Sequence, residues 1–87
     1  MVEVVSINEN LDSQIKIYPN PVRDQLRVEA EQINSMTIVN MMGQVVLKRD
    51  IDSDEATIDL SDFESGIYLL QIETESGIVT RQINVIK

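Results

Sequence analysis

The sequence of 87 residues contains no histidine, no cysteine and no tryptophan. Without histidine or cysteine side chains, the chain cannot form the usual zinc, iron-sulfur or haem sites, a redox dithiol, or a Ser-His-Asp or Cys-His catalytic pair. Any two of its 15 acidic residues could be chosen as a catalytic carboxylate pair, but no spacing in the sequence distinguishes one pair from the others. We therefore expect a protein that is not an enzyme and that needs neither a cofactor nor a metal ion.

Aromatic residues and positive charges are also scarce. The chain has three aromatic residues, too few to supply both a core and a stacking platform for bases or sugars. Its formal net charge is -8, and no basic cluster is longer than Lys48-Arg49. Because this charge opposes the phosphates of nucleic acids, we expect no nucleic-acid partner, and the composition indicates no small-molecule substrate.

Long apolar runs are missing as well. The longest, residues 67–70, is far shorter than the roughly 20 residues that span a bilayer, so we expect no membrane insertion. Met1 is followed by Val-Glu-Val-Val rather than by the basic and apolar regions of a signal peptide. If the domain works outside the cytoplasm, its export signal would lie on a longer precursor.

The hydrophobic residues that are present make up 43% of the chain, enough for one core in a single domain. From residue 15 onward they recur at every second position, as in Leu26, Val28 and Ala30. Successive side chains of a strand point to opposite faces, so this period predicts half-buried strands. The residues expected to be largely buried are Ile17, Leu26, Val28, Ile38, Ile58, Leu60, Tyr68, Leu70 and Ile72.

Turn-forming residues interrupt this period at regular intervals. The interruptions fall at residues 19–21, 31–34, 42–44, 50–55, 61–66 and 75–77. They predict an all-β fold, an antiparallel β-sandwich of about seven strands of the immunoglobulin or fibronectin type. Residues 15–87 would form this domain, and residues 1–14 would be a linker or lead-in.

Two glycines are predicted to have structural roles in turns. Gly43 lies in Asn40-Met-Met-Gly-Gln44 and would supply a left-handed residue to a hairpin between two strands. Gly77 would end the turn that begins at Glu75. Both residues would therefore act through the backbone.

Three methionines near these strands leave two interpretations open. Met36, Met41 and Met42 could form an adaptable binding surface, or they could fill gaps in the core. Core filling is the more common use of methionine near strand ends, and we favour it.

Residues 50–55 have the alternating acids of a calcium loop, at Asp50, Asp52 and Asp54. Such a loop needs glycine where Glu55 stands and a bidentate glutamate where Ser61 stands. Because two key positions fail, we predict a solvated acidic loop between strands rather than a metal site.

Two further units indicate corners of the fold. In Tyr18-Pro-Asn-Pro21, two prolines fix φ and remove two backbone donors, so a strand must end there, at a rigid corner or a covered sheet edge. In Gly66-Ile-Tyr68, the glycine permits a positive φ and the tyrosine begins the next strand. Immunoglobulin-like sandwiches place a tyrosine at such a corner to donate its hydroxyl to upstream backbone, and the unit alone predicts that role.

Taken in order, these units resemble the type A C-terminal sorting domain of the type IX (Por) secretion system. The segments that carry the resemblance are Ile17-Tyr-Pro-Asn-Pro21, Asn40-x-x-Gly43-Gln44-Val45, Leu60-x-x-Phe63-x-x-Gly66-Ile-Tyr68 and the closing Val85-Ile-Lys87. The resemblance covers residues 15–87 and implies a sorting motif made of Pro19, Asn20, Pro21, Gly66, Tyr68, Arg81 and Lys87. The family often has adjacent basic residues before its final apolar pair, and this sequence departs from that pattern because Gln82 follows Arg81 and Asn84 interrupts the strand.

The resemblance also implies a function. A domain of this family directs the cargo protein at its N-terminal side through the periplasm and across the outer membrane, to a secreted or cell-surface location. The implied partners are the outer-membrane type IX translocon, its sortase and the cargo domain. The sortase would cut in or before residues 1–14 during surface attachment. A fibronectin-like adhesive or spacer module of a surface protein is the alternative, since the strand pattern and Gly66-x-Tyr68 fit it equally well.

Overall fold

The computed structural model describes residues 15–87, so the predicted linker at residues 1–14 lies outside the described residues. The chain forms five strands: β1 (Lys16–Tyr18), β2 (Gln25–Val39), β3 (Val45–Asp59), β4 (Gly66–Thr74) and β5 (Gly77–Val85). All pairings between these strands are antiparallel. The predicted all-β, antiparallel class is therefore confirmed. Within residues 15–87, no helix is long and apolar enough to cross a membrane.

The two long strands, β2 and β3, run through two of the predicted interruptions. Each has 15 residues, and they bend where the register shifts between Glu29 and Ile33. Gln32 and Asp52 have positive φ values of 50° and 55° at this bend. The Gln32 backbone N–H donates to Asp54 Oδ1 at 3.0 Å, and its side-chain amide donates to Asp52 Oδ1 at 2.9 Å.

Two predictions are corrected by this bend. The described residues form one curled sheet of five strands rather than a sandwich of about seven, because side-chain hydrogen bonds let each long strand turn without ending. Residues 50–55 are part of β3 rather than a loop between strands, because their acids bind the backbone and side chain of the facing bulge.

The bend divides the sheet into two parts. Before it, residues 25–29 of β2 pair with the end of β3, and residues 27–29 also pair with β1 on the other side. After it, residues 33–39 of β2 pair with the beginning of β3 and with β4, and β4 pairs with β5. The sheet therefore curls, and side chains from both parts share one core.

The core confirms most of the burial pattern. The fully buried side chains include Leu26, Val28, Ile38, Ile58, Leu60, Leu70 and Ile72, as predicted. Ile17 and Tyr68 are only partly buried and pack against the edge of this cluster. Met36 is buried as expected, whereas Met41 and Met42 are exposed at a hairpin tip, so core filling was wrong for those two residues.

The predicted turn at residues 40–44 is confirmed as the β2–β3 hairpin. Asn40 Oδ1 accepts hydrogen bonds from the backbone N–H groups of Met42 at 2.9 Å and Gln44 at 3.0 Å. Gly43 has a φ of 86°, in the left-handed region that favours glycine. At the other end of the sheet, Gly77 begins β5 after the β4–β5 turn, and its carbonyl accepts a hydrogen bond from Thr74 Oγ1 at 3.0 Å.

Candidate functional site

The Pro-Asn-Pro segment that follows β1 lies against the outer edge of β5. Asn20 Nδ2 donates to the carbonyl of Gln82 at 3.1 Å, and Asn20 Oδ1 accepts from the backbone N–H of Asn84 at 3.0 Å. A side-chain amide has a donor and an acceptor, as a peptide group does, so Asn20 acts as a substitute ladder partner for β5. Pro19 and Pro21, both exposed, flank it and hold the corner.

Val22 continues this contact with its own backbone. It forms a parallel bridge with Val85, donating its N–H to Asn84 O at 2.9 Å and accepting the N–H of Ile86 at 2.9 Å. Its side chain is fully buried. Residues 20–22 therefore cover the outer edge of β5 over its last residues, and the covered sheet edge expected at the Pro-Asn-Pro unit is present.

Lys87 holds the end of the chain against two connecting segments. Its ammonium nitrogen donates to the backbone carbonyls of Arg23 at 2.7 Å, Leu60 at 2.9 Å and Ser61 at 3.3 Å. The Asp24 carboxylate lies 3.8 Å away. The ammonium group thereby joins the β1–β2 connection to the β3–β4 connection.

The Gly-x-Tyr unit packs beside the same end of β5. The Lys87 N–H donates to Ser65 Oγ at 3.1 Å, and Gly66 pairs with Val85. The Tyr68 hydroxyl donates to the carbonyl of Glu64 at 2.8 Å, which confirms the predicted tyrosine corner. Its ring makes an edge-on contact with Phe63, with 5.2 Å between ring centroids.

The structure thus brings most of the predicted sorting motif together at one place. We call Asn20, Val22, Ser65 and Lys87, with the end of β5 that they contact, the terminal-strand site. Gly66 and Tyr68 adjoin it through the β4–β5 ladder, whereas Arg81 lies further along β5, opposite Leu70 and half-buried. Of the predicted turn residues, Gly77 begins β5 at the opposite end and Gly43 lies in the hairpin.

Two members of the terminal-strand site were not predicted from the sequence. Val22 is an apolar residue directly after Pro21, and that position was the available signal. Ser65 precedes Gly66 in a polar turn, and nothing in the sequence pattern distinguishes it from Ser61.

Comparison with known proteins identifies the family. Residues 16–87 match the family model described as "Secretion system C-terminal sorting domain". The chain belongs to this family. It is therefore a sorting domain of type IX secretion. Members of this family are parts of secreted or cell-surface proteins.

Two curated relatives agree with this assignment. The sorting domain is 32% identical over 81 residues to an endo-acting ulvan lyase of Formosa agariphila, covering 87% of this chain and 16% of the lyase. It is 30% identical over 73 residues to beta-agarase D of Zobellia galactanivorans, covering 84% of this chain and 15% of the agarase. The chain thus spans a small part of the length of each relative.

A solved structure supports the fold. PorZ, described as an essential bacterial surface component of the type-IX secretion system of Porphyromonas gingivalis, matches with a TM-score of 0.71 and 18% identity. The match covers 90% of this chain and 12% of the PorZ chain. At this identity the likeness concerns the fold alone.

A polar network anchors the β1 side of the corner in the sorting domain. The Tyr18 hydroxyl donates to Glu29 Oε2, and the Arg27 guanidinium donates to Glu29 on its own strand and to Glu55 on the facing strand β3. The hydrogen bond from Tyr18, followed by that from Arg27, lowers the pKa of the Glu29 carboxyl below its ordinary value. The same hydrogen bond to Glu29 raises the pKa of Tyr18.

Another acidic side chain, that of Asp59, forms a hydrogen bond with the backbone. The Asp59 carboxylate accepts the N–H of Ser61 at 2.9 Å, and this bond is the main cause of its lowered pKa. Among residues 15–87, no group of three acidic side chains is placed to hold a metal ion. What the site offers is a folded surface of backbone and side-chain contacts.

Proposed function

We propose that this domain directs a cargo protein on its N-terminal side across the outer membrane, and that the translocon recognises it as a folded unit. The observation that carries this proposal is the terminal-strand site. Asn20 and Asn84 are 64 positions apart in the sequence and are joined by a hydrogen bond of 3.0 Å. A receptor that reads both Pro-Asn-Pro and the chain end would find them together only after folding.

Lys87 is bound against the fold rather than extended away from it, which favours recognition of a surface over recognition of an extended segment. Lys87 has three backbone carbonyls as hydrogen-bond partners, and its N–H is bound by Ser65. An unfolded tail would present the same residues without this arrangement. The sorting motif of Pro19, Asn20, Pro21, Gly66, Tyr68, Arg81 and Lys87 would act as part of one folded surface.

The cargo and the sortase step form the second part of the proposal. The relatives are named as a lyase and an agarase, and the matched region is 16% and 15% of their lengths. We infer that their enzymatic activities reside outside that region and that this domain is likewise the label of a longer protein. A sortase would remove it by cutting in or before residues 1–14.

A fusion experiment tests the function. Residues 1–87 would be joined to the C-terminus of a periplasmic reporter in a bacterium that has the type IX machinery. Deletion of residues 83–87 removes two buried side chains, Ile83 and Val85, worth about 3 to 6 kcal/mol together. We expect surface display with the intact domain and none with the truncated one, measured by protease accessibility of the reporter on intact cells.

The outcome separates sorting from the spacer alternative. A reporter that stays in the periplasm with the intact domain, although the domain is folded, would leave the adhesive or spacer module as the better explanation. Surface display in a strain that lacks the type IX translocon would contradict the proposal in the same way. Loss of the domain from the mature reporter, seen as a mass difference, would support the sortase step.

A further inference from the structure

The tip of the β2–β3 hairpin carries an exposed apolar patch. Met41, Met42, Val45 and Val46 are between 43% and 78% exposed. The hydrogen bonds of Asn40 and the φ of Gly43 fix the turn that presents them. We call these four side chains the tip patch. None of them belongs to the terminal-strand site.

A groove continues the tip patch toward the β3–β4 connection. It has a volume of about 390 Å³ and is lined by Asn40, Val46, Phe63 and Tyr68 together with Asp62 and Glu64. Val46 belongs to both the patch and the groove. Val46, Phe63 and Tyr68 supply its apolar and aromatic lining, which we call the floor, and the exposed acidic residues Asp62 and Glu64 supply its charged lining, which we call the rim.

The backbone next to the patch is also unused. Within the described range 15–87, β3 pairs with β2 alone, so the outer N–H and C=O groups near Val45 and Val46 have no strand partner. An open edge of this kind accepts an extended segment by strand addition, while pockets beside the edge take its side chains.

Charge decides among the possible occupants. The chain has a net charge of -8, which disfavours a second copy and an anionic membrane surface. Residues 1–14 contain Glu3, Glu9 and Asp12 but no lysine or arginine, so they do not complement Asp62 and Glu64. A foreign segment with apolar side chains and a Lys or Arg beside them fits both the floor and the rim.

We propose that the tip patch and its groove are a docking surface for an extended, basic and apolar segment of the secretion machinery. This inference rests on the proposed function. It assigns recognition to a surface formed by the hairpin tip and the β3–β4 connection, which shares only Tyr68 with the sorting motif.

The test uses the reporter fusion with two surface variants. The first combines Met41→Gln, Met42→Gln and Val46→Thr, which remove apolar character while keeping side-chain size and strand preference. The second combines Asp62→Lys and Glu64→Lys, which reverse the rim charge. Each has a control at the opposite end of the sheet: Ile78→Thr, at a residue 58% exposed, and Glu75→Lys in the β4–β5 turn.

We expect both surface variants to have the melting temperature of the wild-type domain. The amount of reporter displayed on the cell surface should fall at least ten-fold in both surface variants and stay at the wild-type level in both controls. Display by both surface variants at the wild-type level would overturn the inference and leave the sorting function standing. Failure of the wild-type fusion itself would remove both proposals.

Two measurements on the purified domain address other occupants. Sedimentation would show a dimer that the patch variant dissociates if a second copy were the occupant. Co-flotation of the wild-type domain, but not the variant, with phosphatidylcholine and phosphatidylglycerol vesicles would indicate lipid. Either result would overturn the inference, and a monomer that stays with the soluble fraction supports it.

Discussion

After the bend, the sheet contains four strands in the order β3, β2, β4 and β5, and its two outer strands differ in how their edges are covered. The end of β5 is covered, because Asn20 and Val22 occupy backbone groups of Gln82, Asn84 and Ile86. The edge of β3 has no strand partner among residues 15–87. The comparison shows that the Pro-Asn-Pro unit closes one edge of the sheet and that, within residues 15–87, no segment closes the other in the same way.

Charge gives the open edge a different kind of protection. Val45 and Val46 are followed on β3 by Lys48 and Arg49, and such charges discourage edge strands from pairing with other chains. Only a short apolar stretch at the hairpin tip is therefore available for docking. Substitutions should consequently affect stability at the covered edge and interaction at the open one.

The largest expected effect comes from placing the same acid on each edge. Val22→Asp would put a carboxylate at a fully buried position on the covered edge, at a cost of about 3 to 5 kcal/mol. Val46→Asp, at a residue 43% exposed on the open edge, should cost less than about 1 kcal/mol. Urea denaturation followed by circular dichroism measures both. Equal costs would mean that the edges do not differ as described.

The hairpin that presents the open edge should depend on Gly43. A Cβ at this position would meet no atom within 4 Å, so the cost of Gly43→Val comes only from its φ of 86°. That cost is about 1 to 3 kcal/mol in the free energy of unfolding. Gly43→Asn is the matched control, because asparagine tolerates the left-handed region and should recover most of the loss. A valine variant as stable as wild type would contradict this account.

The Lys87 ammonium group, which lies beside the covered edge, should contribute somewhat less to the free energy of unfolding than the cost of Gly43→Val. Lys87→Met keeps most of the side chain but leaves the carbonyls of Arg23, Leu60 and Ser61 without this donor. We expect a loss of about 1 to 2 kcal/mol. Lys48→Met on exposed β3 should change stability by less than about 0.5 kcal/mol. A Lys87→Met domain that melts normally yet is not exported would instead assign direct recognition to the charge.

The sequence predicted the features that depend on neighbouring residues. The period of two follows from the geometry of a strand, so buried positions such as Leu26 and Val28 in β2 and Leu70 in β4 could be identified without a structure. Gly43 and Tyr68 were placed correctly because each turn type has its own local chemistry.

The features that were missed depend on contacts between distant residues. Residues 31–34 and 50–55 are polar and look like loops, but Gln32 meets Asp52 and Asp54 across the ladder and the strands continue. The partners of Lys87 are backbone carbonyls, which any sequence provides, so no residue pattern marks them. For the same reason, the joining of the sorting motif around β5 could not be derived from spacing.

The smallest expected effect on stability concerns the hydrogen bond between Tyr18 and Glu29, which lies on the β1 side of the Pro-Asn-Pro corner. This effect depends on pH. Tyr18 donates to Glu29, which lowers the pKa of the carboxyl and raises that of the phenol. Because the pKa of Glu29 is lower in the folded state, the hydrogen bond stabilises the fold at pH values above the unfolded-state pKa of about 4.3. This stabilisation is lost as the pH falls through the folded-state pKa. Because the pKa of Tyr18 is higher in the folded state, the same bond stabilises the fold at pH values below the unfolded-state pKa of about 10. This stabilisation is lost as the pH rises through the folded-state pKa.

Tyr18→Phe removes the bond and should therefore lower the melting temperature by a small, constant amount between about pH 5 and 9. The difference from wild type should shrink at both ends of a titration from pH 3 to pH 11, followed by circular dichroism. Tyr68→Phe is the control for the acid limb, because the Tyr68 hydroxyl donates to a backbone carbonyl that does not titrate there. A Tyr18→Phe difference that persists unchanged in acid would show that the hydroxyl acts through packing, and that the corner reaches β5 without this anchor.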